Sequence, residues 1–148
     1  MSAFVAAGGG FLLAVLWFDL MFDVQAIGHE GELPEGVLAS IAGYYGRVTT
    51  RARPMNMLVA AAMLATLTAI IVEIASGTGT EWVPWASLAL VLPPITVAMS
   101  RTVPAAVRLG GRSDPPPHQS ELARSILRDH LLCFTSIAAL LVVQLSVA

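Results

Sequence analysis

The sequence predicts an all-α integral membrane protein, and three observations lead to that fold class. Apolar residues make up 56% of the 148 residues and charged residues only 12%, whereas soluble domains carry about 25% charged residues. The mean hydropathy is +0.75. Four apolar stretches can each cross a bilayer. We therefore expect a single-domain four-helix bundle with an amphipathic interfacial helix between the first and second spans; three spans plus a buried stretch are the alternative.

The first predicted span covers about residues 3–24. Its N-terminal end lacks the positive charges of a signal peptide, and the apolar run is longer than a signal peptide needs. We therefore expect this helix to remain in the mature protein. Gly8, Gly9 and Gly10 carry no side chains, so a second helix can approach closely.

The connector after the first span is too polar to cross the bilayer. Pro34 suits the first position of a helix over about residues 34–52, in which apolar residues recur at helical spacing. We predict that this helix lies on the membrane surface. The cationic run of Arg47, Arg51 and Arg53 closes it.

The second and third spans are predicted over about residues 55–75 and 85–103, joined by the flexible turn SGTGT. Pro93 and Pro94 lie in the middle of the third span. Each proline removes one hydrogen bond from the helix, so we expect a kink there.

A second polar connector is predicted over about residues 101–119. Ser120 suits the N-cap of the last helix, since its hydroxyl can accept a bond from an unpaired backbone N–H. That helix would begin in water and cross the membrane over about residues 130–147.

Arginine placement predicts the orientation. The chain has eight arginines and no lysine, which indicates a high-GC coding bias. Three arginines lie in the first connector and five in or beside the second, whereas the termini have none. By the positive-inside rule both connectors face the cytoplasm and both termini lie outside, and we expect a bacterial plasma membrane. A net charge of −2 argues against a nucleic-acid partner, because no basic face can form.

Polar residues from all four spans are predicted to meet at one depth. Asp19 and Asp23 are four residues apart, so both carboxylates leave the same face of the first helix. At that depth the other spans contribute the following side chains: Asn56, Arg101, Arg128, Asp129 and His130. Two carboxylates on one face should not both ionise easily, and we expect them to share a proton that is available for acid or base work.

Two other interpretations of this cluster remain open. The carboxylates would do no chemistry if they formed ion pairs with Arg101 and Arg128. Alternatively, Asp19, Asp23 and His130 would form an iron or manganese site of the kind built in helix bundles. We expect no cofactor, since di-iron bundles use a Glu-x-x-His pairing that this chain lacks and bis-histidine haem needs a second histidine at depth. Further along the spans, Glu73 and Gln144 are expected to bond to each other.

Three short motifs carry a family resemblance. Tyr44, Tyr45 and Gly46 followed by Pro54 begin the second span, PITVAMSRTVP ends the third, and ELARSILRDH begins the fourth. They resemble the small four-helix membrane proteins related to the anthrone oxygenases, a family largely described as a domain of unknown function.

The resemblance implies that oxygen oxidises a polycyclic aromatic, anthrone to anthraquinone, without metal or flavin. Such a reaction needs a base, a group that holds the enolate oxygen and a water-poor pocket. We assign the base to His130 or the Asp19 and Asp23 pair, and enolate stabilisation to Arg101 or Arg128. The aromatic substrate would lie against the following side chains: Trp17, Phe22, Met99 and Phe134.

Two rival functions follow from the same residues. The glycine-lined first helix and the arginine-rich connectors would suit a non-catalytic subunit that binds a membrane partner, a second copy of itself or anionic lipid. The carboxylate pair would also suit a proton-coupled carrier.

Overall fold

The structure is a computed structural model that describes residues 2–51, 53–77 and 80–146. It is 89% helical, and the described residues contain no strand, which confirms the all-α class. Parts of three predicted segments lie outside the described residues: Ala52 of the interfacial helix, Thr78 and Gly79 of the turn, and Val147 of the last span.

The described residues form six α-helices, which follow one another along the chain. They are α1 (Ser2–Asp23), α2 (Glu35–Tyr45), α3 (Arg53–Ser76), α4 (Trp82–Val97), α5 (Val103–Gly111) and α6 (Pro116–Ser146). A short 3₁₀ turn, Val24–Ala26, extends α1. Two π-helical segments, Gly46–Arg51 and Ala98–Thr102, join α2 to α3 and α4 to α5.

Within the described parts of the chain, four helical segments are long and apolar enough to cross a membrane. They are Ser2–Ala26, Pro54–Ser76, Trp82–Gly111 and Pro116–Ser146, with mean hydropathies between 1.5 and 2.3. Large apolar side chains cover their outer surface, including Met57, Leu64 and Val142. So much apolar surface would be unfavourable in water. These are the features of an integral membrane protein.

The four long helices form a closed bundle, with α1 and α4 each packed between α3 and α6. Gly8 allows the α1–α3 contact, because a Cβ there would overlap the hydroxyl of Thr66. At one end of the bundle, α2 packs across α5 and the beginning of α6. This second layer has its own core, centred on Leu38, Ile41 and Leu109.

The third span differs from the prediction in two ways. Its helical structure continues through the expected polar connector as far as Gly111. In addition, a π-helical segment that was not predicted, Ala98–Thr102, follows the α-helical residues Pro93 and Pro94. A π turn holds one residue more than an α turn closed by i→i−4 bonds, and such turns are frequent at functional sites.

The predicted beginnings of two helices were wrong. Pro34 is the residue before α2 rather than its first residue. The last helix begins at Pro116, so Ser120 lies inside α6 and is not its N-cap. The Ser120 hydroxyl instead donates to the Pro116 carbonyl at 2.8 Å and accepts a bond from the Leu33 N–H at 2.9 Å. Ser120 thus ties the connector before α2 to α6.

The expected bond between Glu73 and Gln144 does not form. Gln144 is completely buried and donates from Nε2 to the Ser87 hydroxyl at 2.8 Å. Glu73 is also buried, and its Oε2 accepts no hydrogen bond from any described residue. The bond of Gln144 therefore joins α6 to α4, whereas the prediction joined α6 to α3.

Two glycines bring the α2 layer against α5. A Cβ on Gly110 would lie 2.6 Å from the backbone nitrogen of Gly46, which is closer than packed atoms allow. The chain that follows Tyr45 therefore touches α5 backbone to backbone, and this contact fixes the end of α2 relative to the bundle.

We expect Gly110→Ala to destabilise the fold by about 1–3 kcal/mol, because the added methyl group would push the backbone at Gly46 away. Thermal unfolding in detergent measures the effect. The control is Gly111→Ala, since a Cβ at Gly111 meets no atom within 4 Å. Equal melting temperatures for the two variants would contradict the backbone contact.

Candidate functional site

A buried carboxylate and a histidine meet at the centre of the molecule. His130 Nδ1 donates to Asp23 Oδ2 at 2.6 Å, and Tyr45 Oη donates to Asp23 Oδ1 at 2.6 Å. Asp23 has no exposed surface, and His130 is 7% exposed. Both carboxylate oxygens of Asp23 are therefore satisfied by groups from α2 and α6.

The second carboxylate lies one turn earlier on α1. Tyr44 Oη donates to Asp19 Oδ1 at 2.6 Å, whereas Asp19 Oδ2 lies 3.8 Å from His130 Nε2. That separation is too long for a hydrogen bond. His130 therefore lies between two carboxylates, bonded to Asp23 through one nitrogen and facing Asp19 with the other.

Local sequence explains why two tyrosines reach two carboxylates. Asp19 and Asp23 leave α1 on one face, separated by about 6 Å along the axis. Tyr44 and Tyr45 are consecutive residues at the end of α2, and neighbouring side chains diverge by about 100° around a helix. Each hydroxyl can therefore reach a different carboxylate.

Two adjoining cavities open beside His130. The apolar cavity has a volume of about 160 Å³ and lies among α1, α3, α4 and α6. The tyrosine cavity has a volume of about 400 Å³ and borders Tyr44 and Tyr45. The residues shared by both cavities are Val15, Asp19, Asn56, Val59, Thr102, Val103 and His130. A volume of 400 Å³ falls within the usual range for small-molecule sites, about 300–1,000 Å³.

The predicted site residues divide into two groups. Asp19, His130 and Asn56 border both cavities, and Met99 borders the apolar cavity. Asp23 lies behind His130.

The remaining predicted residues line neither cavity. Trp17 is 59% exposed and its ring lies 6.3 Å from that of Phe134, on the outer side of α1. Phe22 stacks on the side of Tyr44 that is opposite the tyrosine cavity, with ring centroids 4.1 Å apart. Arg128 is exposed.

Asp19 and Asp23 do not form the arginine ion pairs of the alternative interpretation with any described residue. Arg101 instead pairs with Asp129 at 3.2 Å, and the Thr102 hydroxyl donates to the same carboxylate at 3.3 Å. The expected sharing of a proton between Asp19 and Asp23 stays a prediction; in the structure each carboxylate accepts a hydrogen bond from its own tyrosine, and His130 lies between them.

The arrangement does not suit a metal ion. Among the described residues, no group of three or more His, Cys, Asp or Glu side chains is placed to hold one. Both carboxylate oxygens of Asp23 already have hydrogen-bond partners, Tyr45 Oη and His130 Nδ1, each at 2.6 Å. The predicted trio of Asp19, Asp23 and His130 is therefore arranged for hydrogen bonding.

Three side chains of the candidate site were not predicted from the sequence. Tyr44 and Tyr45 were interpreted only as the apolar side of an interfacial helix and as part of the family motif. Thr102, which borders both cavities, was not considered. A usable signal existed: two consecutive tyrosines face two carboxylates that need hydrogen-bond donors in an apolar region.

No protein-family model, curated protein or solved structure matches this chain. The resemblance to the anthrone oxygenases therefore stays a prediction.

Both tyrosines are held in the protonated form. Burial raises the pKa of Tyr44 and Tyr45 above the ordinary value of 10.0, and the adjacent carboxylates raise it further because a phenolate would repel them. The folded protein thus keeps these protons at a pH where the unfolded chain has lost them. Their contribution to stability is complete below pH 10 and falls as the pH rises above it.

We expect the ultraviolet difference spectrum of the native protein to show no tyrosinate signal at pH 10 to 11. The chain contains only these two tyrosines, so the signal reports on them alone. Unfolded protein is the control and should titrate near pH 10. A native titration near pH 10 would show that the hydroxyls are open to water.

Proposed function

We propose that the protein is a membrane-embedded oxygenase that needs no cofactor and acts on an apolar polycyclic aromatic of the anthrone type. The observation that carries the proposal is the arrangement of His130. Its Nδ1 is bonded to the buried Asp23, and its ring borders both cavities.

This arrangement suits a general base. An imidazole that donates from Nδ1 to a carboxylate has its lone pair on Nε2. Once Nε2 takes a proton, the positively charged imidazolium is also attracted to a second carboxylate, because Asp19 Oδ2 lies 3.8 Å from Nε2. The two aspartates therefore stabilise the protonated base, while each tyrosine donates a hydrogen bond to one of the two carboxylates.

The proposed reaction converts a methylene group and oxygen into a ketone and water. Nε2 removes one methylene proton, and the electron pair moves onto the ring carbonyl as an enolate. Transfer of one electron to O₂ and recombination of the two radicals form a carbon–oxygen bond. The resulting peroxide takes the proton from His130. Loss of the second methylene hydrogen with cleavage of the O–O bond then releases water and leaves the ketone.

Enolate stabilisation is better assigned to Asn56 than to Arg101 or Arg128. The Asn56 side chain borders both cavities, and its amide makes no hydrogen bond with any described residue. Arg101 is occupied by Asp129. An amide N–H directed at the developing negative charge is a common oxyanion donor.

A lipid-facing opening supports an apolar substrate. Among the described residues, α3 packs against α1, α4 and the π segment after α2 but does not approach α5. Asn56, Met99 and Val103 are exposed beside this gap. We propose that the substrate moves sideways out of the bilayer into the cavities. With both connectors in the cytoplasm, the site lies in the cytoplasmic half of a bacterial plasma membrane.

A proton-coupled carrier is the second candidate. Asp23 is completely buried in a segment that can span a membrane, and Glu73 is buried toward the opposite end of the bundle. The distance from Asn56 to Glu73 along α3 is about 25 Å. Ionisable groups in both halves of a bundle would suit proton movement.

We expect His130→Ala to lower aerobic turnover of an anthrone by about 10²–10⁴-fold, the usual contribution of a general base. Asp23→Asn should lower it as well, because the amide cannot fix the imidazole in the same tautomer. Product formation by the protein in lipid nanodiscs, followed by absorbance, measures the effect.

His29→Ala is the matched control, since His29 lies in the exposed connector before α2 and should leave turnover unchanged. Full turnover by folded His130→Ala would contradict the assignment of the base. Proton flux in liposomes that Asp23→Asn abolishes, without turnover of any anthrone, would favour the carrier.

For Asn56→Leu we expect kcat to fall by about 10²–10³-fold with a much smaller change in KM, because an oxyanion donor acts mainly in the transition state. Steady-state kinetics separates the two constants. The exposed residue Leu64 offers a control on the same helix as Leu64→Ala. A change confined to KM would identify Asn56 as a binding residue without an oxyanion role.

A further inference from the structure

A groove lies on the opposite side of Tyr44 from the tyrosine cavity. It has a volume of about 320 Å³ and is lined by Phe22, Ser40, Gly43, Tyr44, Arg47 and Arg51. These residues come from the end of α1, from α2 and from the π-helical segment that follows α2. We call this the arginine groove.

The arginines of this groove differ from others on the same surface. Arg108 and Arg112 pair with carboxylates of Asp114 and Glu35, and Arg124 donates to backbone carbonyls. By contrast, Arg47 and Arg51 make no ion pair with any described residue. The groove is therefore lined by two guanidinium groups that have no carboxylate partner among the described residues.

The other lining groups suit an oxygen-rich headgroup with an apolar tail. The Ser40 hydroxyl makes no hydrogen bond with any described residue and remains available to a ligand. Phe22 and Tyr44 stack with an interplanar angle of 9° and form an apolar wall. Phe18, one turn earlier on the same face of α1 as Phe22, is 60% exposed. Acyl chains can follow this aromatic surface into the bilayer.

We propose that the arginine groove binds the phosphate headgroup of an anionic phospholipid. Arginine forms paired hydrogen bonds with phosphate oxygens, and basic residues at a membrane surface attract anionic lipid. The apolar surface continuous with the groove favours a lipid over a soluble phosphate. Because Tyr44 is a wall of the groove and also donates to Asp19, the bound lipid would support the side chain that holds Asp19.

The test measures retention of phosphatidylglycerol by the intact protein in detergent, using native mass spectrometry, with phosphatidylcholine and inorganic phosphate as comparison ligands. We expect phosphatidylglycerol to be retained in preference to both. Arg47→Gln combined with Arg51→Gln should weaken its retention by about tenfold or more. Gly43→Leu should also weaken it while keeping both charges, because a Cβ at Gly43 meets no atom within 4 Å and the larger side chain would fill the groove.

Matched controls separate the groove from general surface charge. Gly36→Leu adds the same side chain elsewhere on α2, where a Cβ also meets nothing within 4 Å. Arg108→Gln removes one charge outside the groove and is compared with Arg47→Gln alone. Both controls should retain lipid as the wild type does.

Wild-type retention by Gly43→Leu and by the double arginine variant would overturn the proposal, as would equal losses for Arg47→Gln and Arg108→Gln. Inorganic phosphate that displaces phosphatidylglycerol at equal concentration would overturn the lipid as the ligand. The readout is lipid retention and not turnover, so failure of the oxygenase proposal would leave this result unaffected.

Discussion

The hydrogen bond between Asp23 and His130 is the interaction on which the rest of the site depends. An ionised carboxylate in a membrane costs about 2.5–3.5 kcal/mol unless partners compensate it, and Asp23 has no exposed surface. Its partners come from α2 and α6. The requirement to satisfy one carboxylate thus joins the first helix of the bundle, the last helix and the layer that covers its end.

The covering layer acts as a support for the two tyrosines. Several contacts hold it against the bundle: the backbone approach of Gly46 to Gly110, the ion pair between Glu35 and Arg112, and the hydrogen bond from Leu33 to Ser120. None of these contacts touches the cavities. Their shared consequence is that Tyr44 and Tyr45 arrive at fixed positions, so the carboxylates obtain donors that the four spans do not supply.

The sequence predicted well how far along a helix each polar residue lies, but predicted poorly which side of the helix its side chain leaves. The fold class and the common depth of Asp19, Asp23 and His130 follow from hydropathy and spacing. Hydropathy and spacing do not predict which side of a membrane helix faces the protein core, because lipid and protein interior are equally apolar. Trp17 and Phe134 were therefore assigned to the pocket although they lie outside it. Arg101 lies at the predicted depth, but it forms an ion pair with Asp129, the residue before His130 in the sequence. The hydrogen bonds of Tyr44 and Tyr45 could not be predicted, because they depend on how α2 packs back against the bundle.

The unequal distances around His130 determine what the imidazole can do. With both nitrogens bonded to carboxylates at 2.6 Å, the ring would be held as an imidazolium and could accept no proton. Here only Nδ1 has such a bond, whereas Nε2 is 3.8 Å from Asp19. Tyr44 contributes to this difference, because its hydroxyl holds the other oxygen of Asp19 at 2.6 Å. Tyr44 makes no hydrogen bond to His130. By holding Asp19, it nevertheless leaves Nε2 of His130 free to take a proton from a bound substrate.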